Sequence, residues 1–196
     1  MPLLVSPALP PGSLNRHPQP TIDADKLRLR PWQPGDRDPV LAGYADPAIQ
    51  RWHCRTMTPD EAHTWLVSWP HRWQAESGAG WAITNPGGVL GQISLRRLDL
   101  ASGIAEVSYW VLPHARGQHV AGRALTALTT WSFDIGLHRL ELNHSTANPA
   151  SCAVARRAGY PAEGIARREG RHADGWHDTH RHARLRTDPP VEHHPA

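Results

Sequence analysis

The sequence predicts a mixed α/β fold in which helices flank a central, mostly antiparallel twisted sheet. Short segments with alternating apolar and polar residues are separated by segments with helical periodicity, in the order β-α-α-β-β-β-α-β-α-β-β. Three successive strands form an antiparallel meander, and the strand-helix-strand unit after them requires a parallel crossover. A chain of 196 residues is long enough to bury one core of this kind without disulfides or a structural metal.

The first half of the chain begins with an alternating strand at 27–30. A helix is predicted over 58–78, because Thr58-Pro59-Asp60-Glu61 is a typical helix start, and Pro70 is expected to kink or split it. Its periodic apolar residues are expected to face the core rather than to line a substrate cleft; they are Trp65, Leu66, Trp69 and Trp73.

The meander follows that helix. Strands at 81–84 and 89–98 are joined by Asn85-Pro86-Gly87-Gly88, which is a hairpin turn by its residue types. A third strand runs from Ile104 to about Leu112. A loop over 113–122 then leads into an amphipathic helix that ends at Gly136 and presents one apolar face made by Ala124, Leu128, Trp131 and Ile135.

The last third alternates again. The segment 138–144 is predicted as a strand, and Asn148-Pro149 begins a helix that Gly159 ends. Two final strands, at about 162–171 and 179–186, flank a turn at Asp174-Gly175.

Composition sets the domain organisation and the compartment. Prolines concentrate at the two ends, so residues 1–26 and 188–196 are expected to be disordered tails around one domain at 27–187. Two distant cysteines exclude a disulfide scaffold and a cysteine-built zinc site, which favours a cytoplasmic setting. No secretory signal or membrane-spanning stretch is expected. The net charge of +3 comes from scattered arginines, a pattern that argues against a nucleic-acid partner.

The segment 116–122, RGQHVAG, is rich in small residues and lies between a strand and a helix. Free N–H groups at a first helical turn, together with the helix dipole, form a site for a pyrophosphate. No Gly-Lys-Ser/Thr ends the loop, and no G-x-G-x-x-G frame is present, so neither a mononucleotide P-loop nor a dinucleotide fingerprint fits.

These residues resemble a known family. The segment Arg116-Gly117-Gln118-His119-Val120-Ala121 is similar to motif A of the GCN5-related N-acetyltransferases (GNAT), Arg/Gln-x-x-Gly-x-Gly/Ala, with His119 at the usual glycine position. The later segment 148–167, NPASCAVARRAGYPAEGIAR, resembles the RimJ/RimL branch, which acetylates ribosomal-protein N-termini. The resemblance covers about residues 27–186 and implies the GNAT fold, in which the strand 104–112 and the strand 138–144 pair in parallel and then splay apart.

The resemblance also implies a co-substrate, acetyl-coenzyme A, bound in that splay. Main-chain groups of Trp110, Val111 and Leu112 would pair with its pantetheine arm, and Asn148 would bind near the same arm or simply cap its helix. The pyrophosphate would be held by the amides of the loop and the guanidinium of Arg116 or Arg123; these residues are Arg116, Gly117, Gln118, His119, Val120, Ala121, Gly122 and Arg123. His119 is either a phosphate donor or an ordinary loop residue.

Acetyl transfer to an amine poses two proton-transfer problems. The amine must be neutral to attack, and the departing thiolate benefits from a proton donor. Ser151 matches the family's acid, with a supporting role in the helix cap as the alternative. Glu106 is the better candidate for the base, acting through a water, with Glu169 as a further candidate and an arginine ion pair as the structural alternative for Glu106.

The sequence therefore predicts an N-acetyltransferase that modifies a primary amine, either a protein or peptide N-terminus or a small molecule such as an antibiotic. The acceptor is expected to contact residues 51–73 and the last turn. An acyl-coenzyme A binding module, or an enzyme that uses a larger acyl donor, is the alternative. No metal is expected, although His177, His180 and His182 share the last strand. A monomer or homodimer and no membrane partner are expected.

Overall fold

The computed structural model describes residues 4–190 and contains one mixed sheet with helices on both faces. Five α-helices are present in that range: α1 Arg37–Ala45, α2 Pro47–His53, α3 Pro59–Gln74, α4 Val120–Asp134 and α5 Pro149–Arg157. The strands are β1 Ile22–Ala24, β2 Leu27–Pro31, β3 Ala79–Asn85, β4 Gly88–Asp99, β5 Ile104–Val111, β6 Arg139–Ser145, β7 Ala162–His172 and β8 Gly175–Leu185. Their order across the sheet is β1-β2-β3-β4-β5-β6-β8-β7.

Only β5 and β6 pair in parallel among the strands of the described chain, and this pair splays. The register joins Ile104 to Arg139 and Glu106 to Glu141 and then stops, although β5 continues to Val111. Every other neighbouring pair is antiparallel. The mixed fold and the parallel pair predicted from the sequence are confirmed, and the sheet opens into a V between these two strands.

Each face of the sheet carries its own core. Helices α4 and α5 cover one face, where Leu125 and Leu128 pack with Leu140. Helices α1 to α3 cover the other, where Val40 and Trp69 pack with Trp110. The tryptophan stripe of α3 is core, as predicted, since Leu66, Trp69 and Trp73 are buried. No helix within 4–190 is long and apolar enough to cross a bilayer.

Helix α3 continues through Pro70, so the split that was one of the two outcomes predicted there is wrong. It begins as predicted, with Thr58 and Glu61 forming a reciprocal capping box. The helix runs without interruption through the exposed Pro70 to Gln74. The tertiary contacts of Trp69 and Trp73 on either side hold the helix together where one backbone hydrogen bond is missing.

Helices α1 and α2, and the short strand β1, are not resolved individually by the sequence patterns. The two helices are short, and the Asp46 side chain separates them by accepting a hydrogen bond from the Ile49 amide at 3.0 Å. This N-cap and Pro47 at the first helical position are recognisable signals for a helix start. The apolar residues that follow are too few to show a clear period.

The prediction that residues 1–26 form a disordered tail is wrong for the part of it that the structure describes from Ala8 onward. Leu9 and Leu14 are 4% exposed and belong to the main core. The Leu9 amide donates to the Leu100 carbonyl at 3.0 Å. Burial of these apolar side chains stabilises an ordered conformation of the segment, which its proline-rich composition does not indicate. We call residues 8–20 the N-terminal segment.

Polar contacts fasten the N-terminal segment to α3 and β3. The Glu76 carboxylate accepts hydrogen bonds from the Gly12 and Leu14 amides, both at 2.7 Å, and from the Asn15 amide at 3.3 Å. The indole N–H groups of Trp73 and Trp81 donate to carbonyls of the segment. The domain therefore extends to about residue 8. Residues 1–3 and 191–196 of the predicted tails lie outside the described residues.

Candidate active site

The V between β5 and β6 opens into a cavity of about 1330 Å³. Its walls come from β5, from the loop and first turn of α4 at 115–123, and from the start of α5 at 148–151. The cavity also reaches Trp52 and His53 at the end of α2. It therefore passes through the gap in the sheet, so that two molecules can meet there from opposite faces.

A row of backbone amides faces this cavity at the start of α4. Within residues 4–190, the N–H groups from Gly117 to Gly122 have no backbone or side-chain acceptor, and the first helical bond comes from Arg123 to the His119 carbonyl at 3.1 Å. Neither Gly117 nor Gly122 has an atom within 4 Å of the place where a Cβ would be. Consecutive amides with open space above them form a cradle for an anion.

His119 has a left-handed backbone conformation, with φ 56° and ψ 19°, at the N-cap of α4. This conformation explains why the resembling motif has glycine here, since a Cβ in the left-handed region is strained. The His119 side chain makes no capping hydrogen bond. The loop therefore keeps the backbone path of the motif while carrying a strained residue.

The two arginines expected to bind phosphate are engaged elsewhere. The Arg116 guanidinium pairs with the Asp46 carboxylate and donates to the Val111 carbonyl at 3.2 Å. Arg123 donates to the carbonyls of Asp25 at 2.9 Å and Gln118 at 3.0 Å. Both side chains brace the loop, and the anion cradle consists of main-chain amides.

The open edge of β5 differs from the prediction by one residue. The Leu112 amide donates to the Leu90 carbonyl at 2.8 Å, and its own carbonyl accepts from Ala115. Because hydrogen-bonding direction alternates along an antiparallel strand, Trp110 also points its main chain at β4. Val111 and Tyr109 therefore present main-chain groups to the cavity, whereas Trp110 and Leu112 do not.

The start of α5 brings Asn148 and Ser151 to the cavity. The Asn148 side chain is buried and accepts the Ser151 amide at 3.1 Å, so it caps the helix as the structural alternative required. The Tyr109 hydroxyl is buried next to Ser151, with no hydrogen bond of standard geometry to any described residue. Burial raises the pKa of Tyr109 to about 12, and the Ser151 hydroxyl acts in the opposite direction.

Glu106 lines the cavity but is held by two arginines. Its carboxylate lies 2.9 Å from Arg96 and 3.1 Å from Arg97, and the residue is 8% exposed. This is the ion pair that sequence reasoning left as the alternative role. Glu169 is farther from the chemistry, since it pairs with Arg181 in the irregular part of β7 and does not line the cavity.

The rim of the cavity is aromatic where α2 meets the last hairpin. Trp52 packs edge-on against His172, with ring centroids 5.9 Å apart, and His172 stacks on His177 at 4.3 Å. His53 Nε2 donates to the Tyr109 carbonyl at 3.2 Å. Burial, with a smaller effect of nearby arginines, lowers the pKa of His53 to about 4 despite this hydrogen bond. The two regions expected to contact the acceptor thus meet on one rim.

Among the cavity residues to which the sequence assigns no individual role are Tyr109, His53 and Arg157. Tyr109 follows from strand alternation, because it lies on the same face of β5 as Val107, toward α4 and α5. No local sequence pattern indicates His53, because the helix that carries it is not predicted separately from the sequence. Arg157 was counted among scattered arginines, and it has no ion pair with a described residue.

A splayed strand pair that ends at an amide cradle defines an acyltransferase of the kind that the resemblance implies. The chain matches the acetyltransferase (GNAT) domain over residues 26–161, more than half of its length. It therefore belongs to the GNAT acetyltransferase family. The predicted acyltransferase class is confirmed, and nothing in the match indicates metal-dependent chemistry.

The chain is also similar to proteins whose names state an activity. The chain is 28% identical over 134 residues to YdaF of Bacillus subtilis (strain 168), named as a ribosomal N-acetyltransferase, covering 66% of this chain and 73% of YdaF. The fold matches RimL, a ribosomal L7/L12 alpha-N-protein acetyltransferase solved with coenzyme A, at TM-score 0.79 and 22% identity over 85% of this chain and 98% of that one. An acetyltransferase from Salmonella typhimurium that modifies the N-terminal serine of L7/L12 matches at TM-score 0.78 and 20% identity, over 85% and 99% of the two chains.

Proposed function

We propose that the protein transfers the acetyl group of acetyl-coenzyme A to the N-terminal amine of a protein or peptide. The observation that carries the proposal is the row of unpaired amides from Gly117 to Gly122 at one wall of the splay. A diphosphate matches that row in charge and in its number of acceptors. Names of relatives that bind coenzyme A or acetylate ribosomal proteins support the same assignment.

The residues of the cleft fit the parts of the co-substrate. The pyrophosphate would lie on the amide cradle, and the pantetheine arm would run along β5 against the main chain of Val111 and Tyr109. Their carbonyls bind Arg116 and His53, so these two side chains would have to exchange partners as the arm enters. Arg157, at the α5 wall, is placed to meet a further phosphate group.

Two side chains would manage the protons. Ser151 would donate to the departing thiolate, because its hydroxyl is not needed for the helix cap and lies next to the Tyr109 hydroxyl. Glu106 would accept the amine proton through a water, with Arg96 and Arg97 fixing its carboxylate at the cavity wall. The amine attacks in a ternary complex, so no acyl-enzyme forms.

The acceptor would enter over the rim formed by Trp52 and His172. An extended peptide suits this entry, since the cavity passes through the sheet and Trp52 and His172 lie at its rim. A small-molecule amine is the competing acceptor. We also propose a cytoplasmic setting, where both cysteines stay reduced, a monomer or homodimer, and no nucleic-acid partner.

The test is a thiol-release assay with acetyl-coenzyme A over peptides that differ in the first residue, together with aminated antibiotics. Mass spectrometry should find one added acetyl group on a peptide α-amine and none on a peptide whose N-terminus is blocked. Succinyl- and malonyl-coenzyme A in parallel would identify a larger donor. Thiol release without an acylated amine would contradict the proposal.

The ion pairs of Glu106 with Arg96 and Arg97 favour one other function, an acyl-coenzyme A binding module without turnover. Calorimetric titration separates the two functions. A binding module takes up acetyl-coenzyme A with micromolar or better affinity and acetylates no member of the panel. The transferase shows both binding and product.

A further inference from the structure

Four side chains that have no part in the proposed proton transfers converge between α5 and the sheet, and one of them, His144, also lines the cavity. His144 lies on β6, His180 and His182 lie on β8, and Cys152 lies on α5. One ligand atom from each lies within 4.8 Å of the others. We call them the Cys-His cluster. The register pairs His144 with His180 and Leu142 with His182, so the three rings project from neighbouring strands toward α5.

Two of the three histidines of the Cys-His cluster are already oriented by backbone carbonyls. His144 Nδ1 lies 2.8 Å from the Ser145 carbonyl, and His182 Nδ1 lies 2.9 Å from the Tyr160 carbonyl. A carbonyl only accepts, so each Nδ1 carries the proton and each Nε2 keeps a lone pair. This is the arrangement by which proteins fix the ring of a metal-binding histidine. His182 Nε2 lies 4.0 Å from the Cys152 sulfur.

Two ring nitrogens in the Cys-His cluster are buried without a partner among the described residues. They are His144 Nε2 and His180 Nδ1. The His144 residue as a whole is 9% exposed. A buried polar atom without a hydrogen-bond partner lowers the stability of the fold, so these two nitrogens favour a bound ligand. A cation at the centre would satisfy these nitrogens and the thiol together.

We propose that the Cys-His cluster is a binding site for one zinc ion, with Cys152, His144, His180 and His182 as the ligands. One thiolate and three imidazoles are donors that zinc prefers, and four ligands complete its tetrahedral shell. Zinc–nitrogen and zinc–sulfur bonds place such donors roughly 3.3–3.6 Å apart. The ligand atoms, within 4.8 Å, need only a small contraction.

Zinc here has a structural consequence for the cleft. Cys152 follows Ser151 directly, so the ion would tie the first turns of α5 to β6 and β8 behind the proposed proton donor. The site has no open coordination position, as expected of a structural rather than a catalytic ion. His177 is not part of it, because its nitrogens face Ser145 Oγ at 2.7 Å and Asp174 at 2.8 Å.

The experiment measures metal content and cobalt spectra on the full chain, purified without a histidine tag and stripped with a chelator. Reloaded protein should retain about one zinc per chain after gel filtration. Cobalt should give intense visible bands of a tetrahedral ion and a thiolate charge-transfer band in the near ultraviolet. Zinc should raise the Tm by roughly 5–10 °C when well above its Kd.

Cys152→Ser should remove the charge-transfer band, weaken zinc binding at least tenfold and abolish the Tm rise, and His180→Gln should weaken binding similarly. Cys54→Ser and His177→Gln are matched controls, and both should bind like the unmodified chain. Circular dichroism of the stripped variants checks that they fold. Less than a tenth of an equivalent of zinc on the unmodified chain overturns the proposal. So does binding that Cys152→Ser and His180→Gln leave intact, which would indicate adventitious surface histidines.

Discussion

The Ser151 hydroxyl is not used by the fold around it. The helix cap of α5 uses the Ser151 amide and the Asn148 side chain, so the hydroxyl is left facing the cavity and Tyr109. A serine that only supported a helix start would be expected to use its oxygen in the cap. At the residue scale, Ser151 therefore gives its main-chain amide to the helix cap and leaves its side-chain hydroxyl at the cavity.

Replacing Ser151 by Ala should lower kcat about 10- to 100-fold and leave the KM for acetyl-coenzyme A within about twofold, because only the proton donor is lost. The cap survives the change, so the Tm should stay within about 1 °C. Steady-state kinetics and a thermal melt measure both. Unchanged kcat would remove Ser151 from the mechanism.

Replacing Glu106 by Gln should lower kcat about 100-fold, because an amide cannot accept the amine proton. Arg96→Gln is the matched control, since it breaks one ion pair and keeps the carboxylate. Equal losses of kcat in both variants would assign Glu106 to the ion pair alone.

Replacing His119 by Gly should raise the free energy of unfolding by about 0.5–1 kcal/mol, because glycine adopts φ 56° without strain. Urea unfolding measures the change. His119→Ala keeps the Cβ and should give no such gain. A stabilised alanine variant would mean that the imidazole itself, rather than the backbone, is unfavourable there.

Much of the site could be predicted because its residues lie in two contiguous motifs. The loop at 116–122 is indicated by its small residues between a strand and a helix, and Asn148 with Ser151 is indicated by the resemblance to the family. The occupation of Arg116 by Asp46, and the contribution of His53, depend on α1 and α2 crossing over the open edge of β5. No local pattern carries such long-range contacts.

At the scale of elements, the order of strands and helices along the chain was predictable and the N-terminal segment was not. Alternation and turn residues gave β2 to β8 and α3 to α5 within a few residues. Proline-rich composition indicated disorder at 8–20, but composition does not show that Leu9 and Leu14 have a receiving pocket. Such a pocket exists only after the sheet and α4 have formed.

Glu76 should make the attachment of the N-terminal segment depend on pH. Burial raises the pKa of Glu76, but the hydrogen bonds from Gly12, Leu14 and Asn15 together lower it by more. The pKa therefore lies below its ordinary value. Its contribution is therefore complete above the unfolded pKa and is lost as pH falls through the folded one. Glu76→Gln should cost about 1–2 kcal/mol at neutral pH and less in acid.

Urea unfolding at several pH values measures this difference. Asp38→Asn, at an exposed carboxylate on α1, is the control and should show little effect at any pH. A Glu76→Gln penalty that does not shrink in acid would contradict the assigned role.

At the scale of the whole molecule, the sheet has a closed half and an open half. Strands β1 to β5 pair along their lengths, whereas β6 to β8 join them through only three residue pairs. The core beneath α4 and α5 contains residues of both halves and holds them together. The N-terminal segment bonds to Trp73, Trp81 and Leu100, which all lie in or beside the closed half.

Removing residues 1–18 should lower the free energy of unfolding by about 3–6 kcal/mol, because two leucines leave the core. Urea unfolding measures the loss. A variant that lacks only residues 1–7 is the control, and it should unfold like the full chain. Equal stability of the two truncated proteins would show that the segment contributes nothing.

The indole hydrogen bonds of the N-terminal segment also give the protein an optical readout. Trp73 donates to the His17 carbonyl at 2.9 Å and Trp81 to the Pro20 carbonyl at 2.8 Å, and both rings are buried. Release of the segment would expose these indoles to water and shift their fluorescence to longer wavelength. Emission of the unlabelled protein can therefore follow detachment of its own N-terminus in real time.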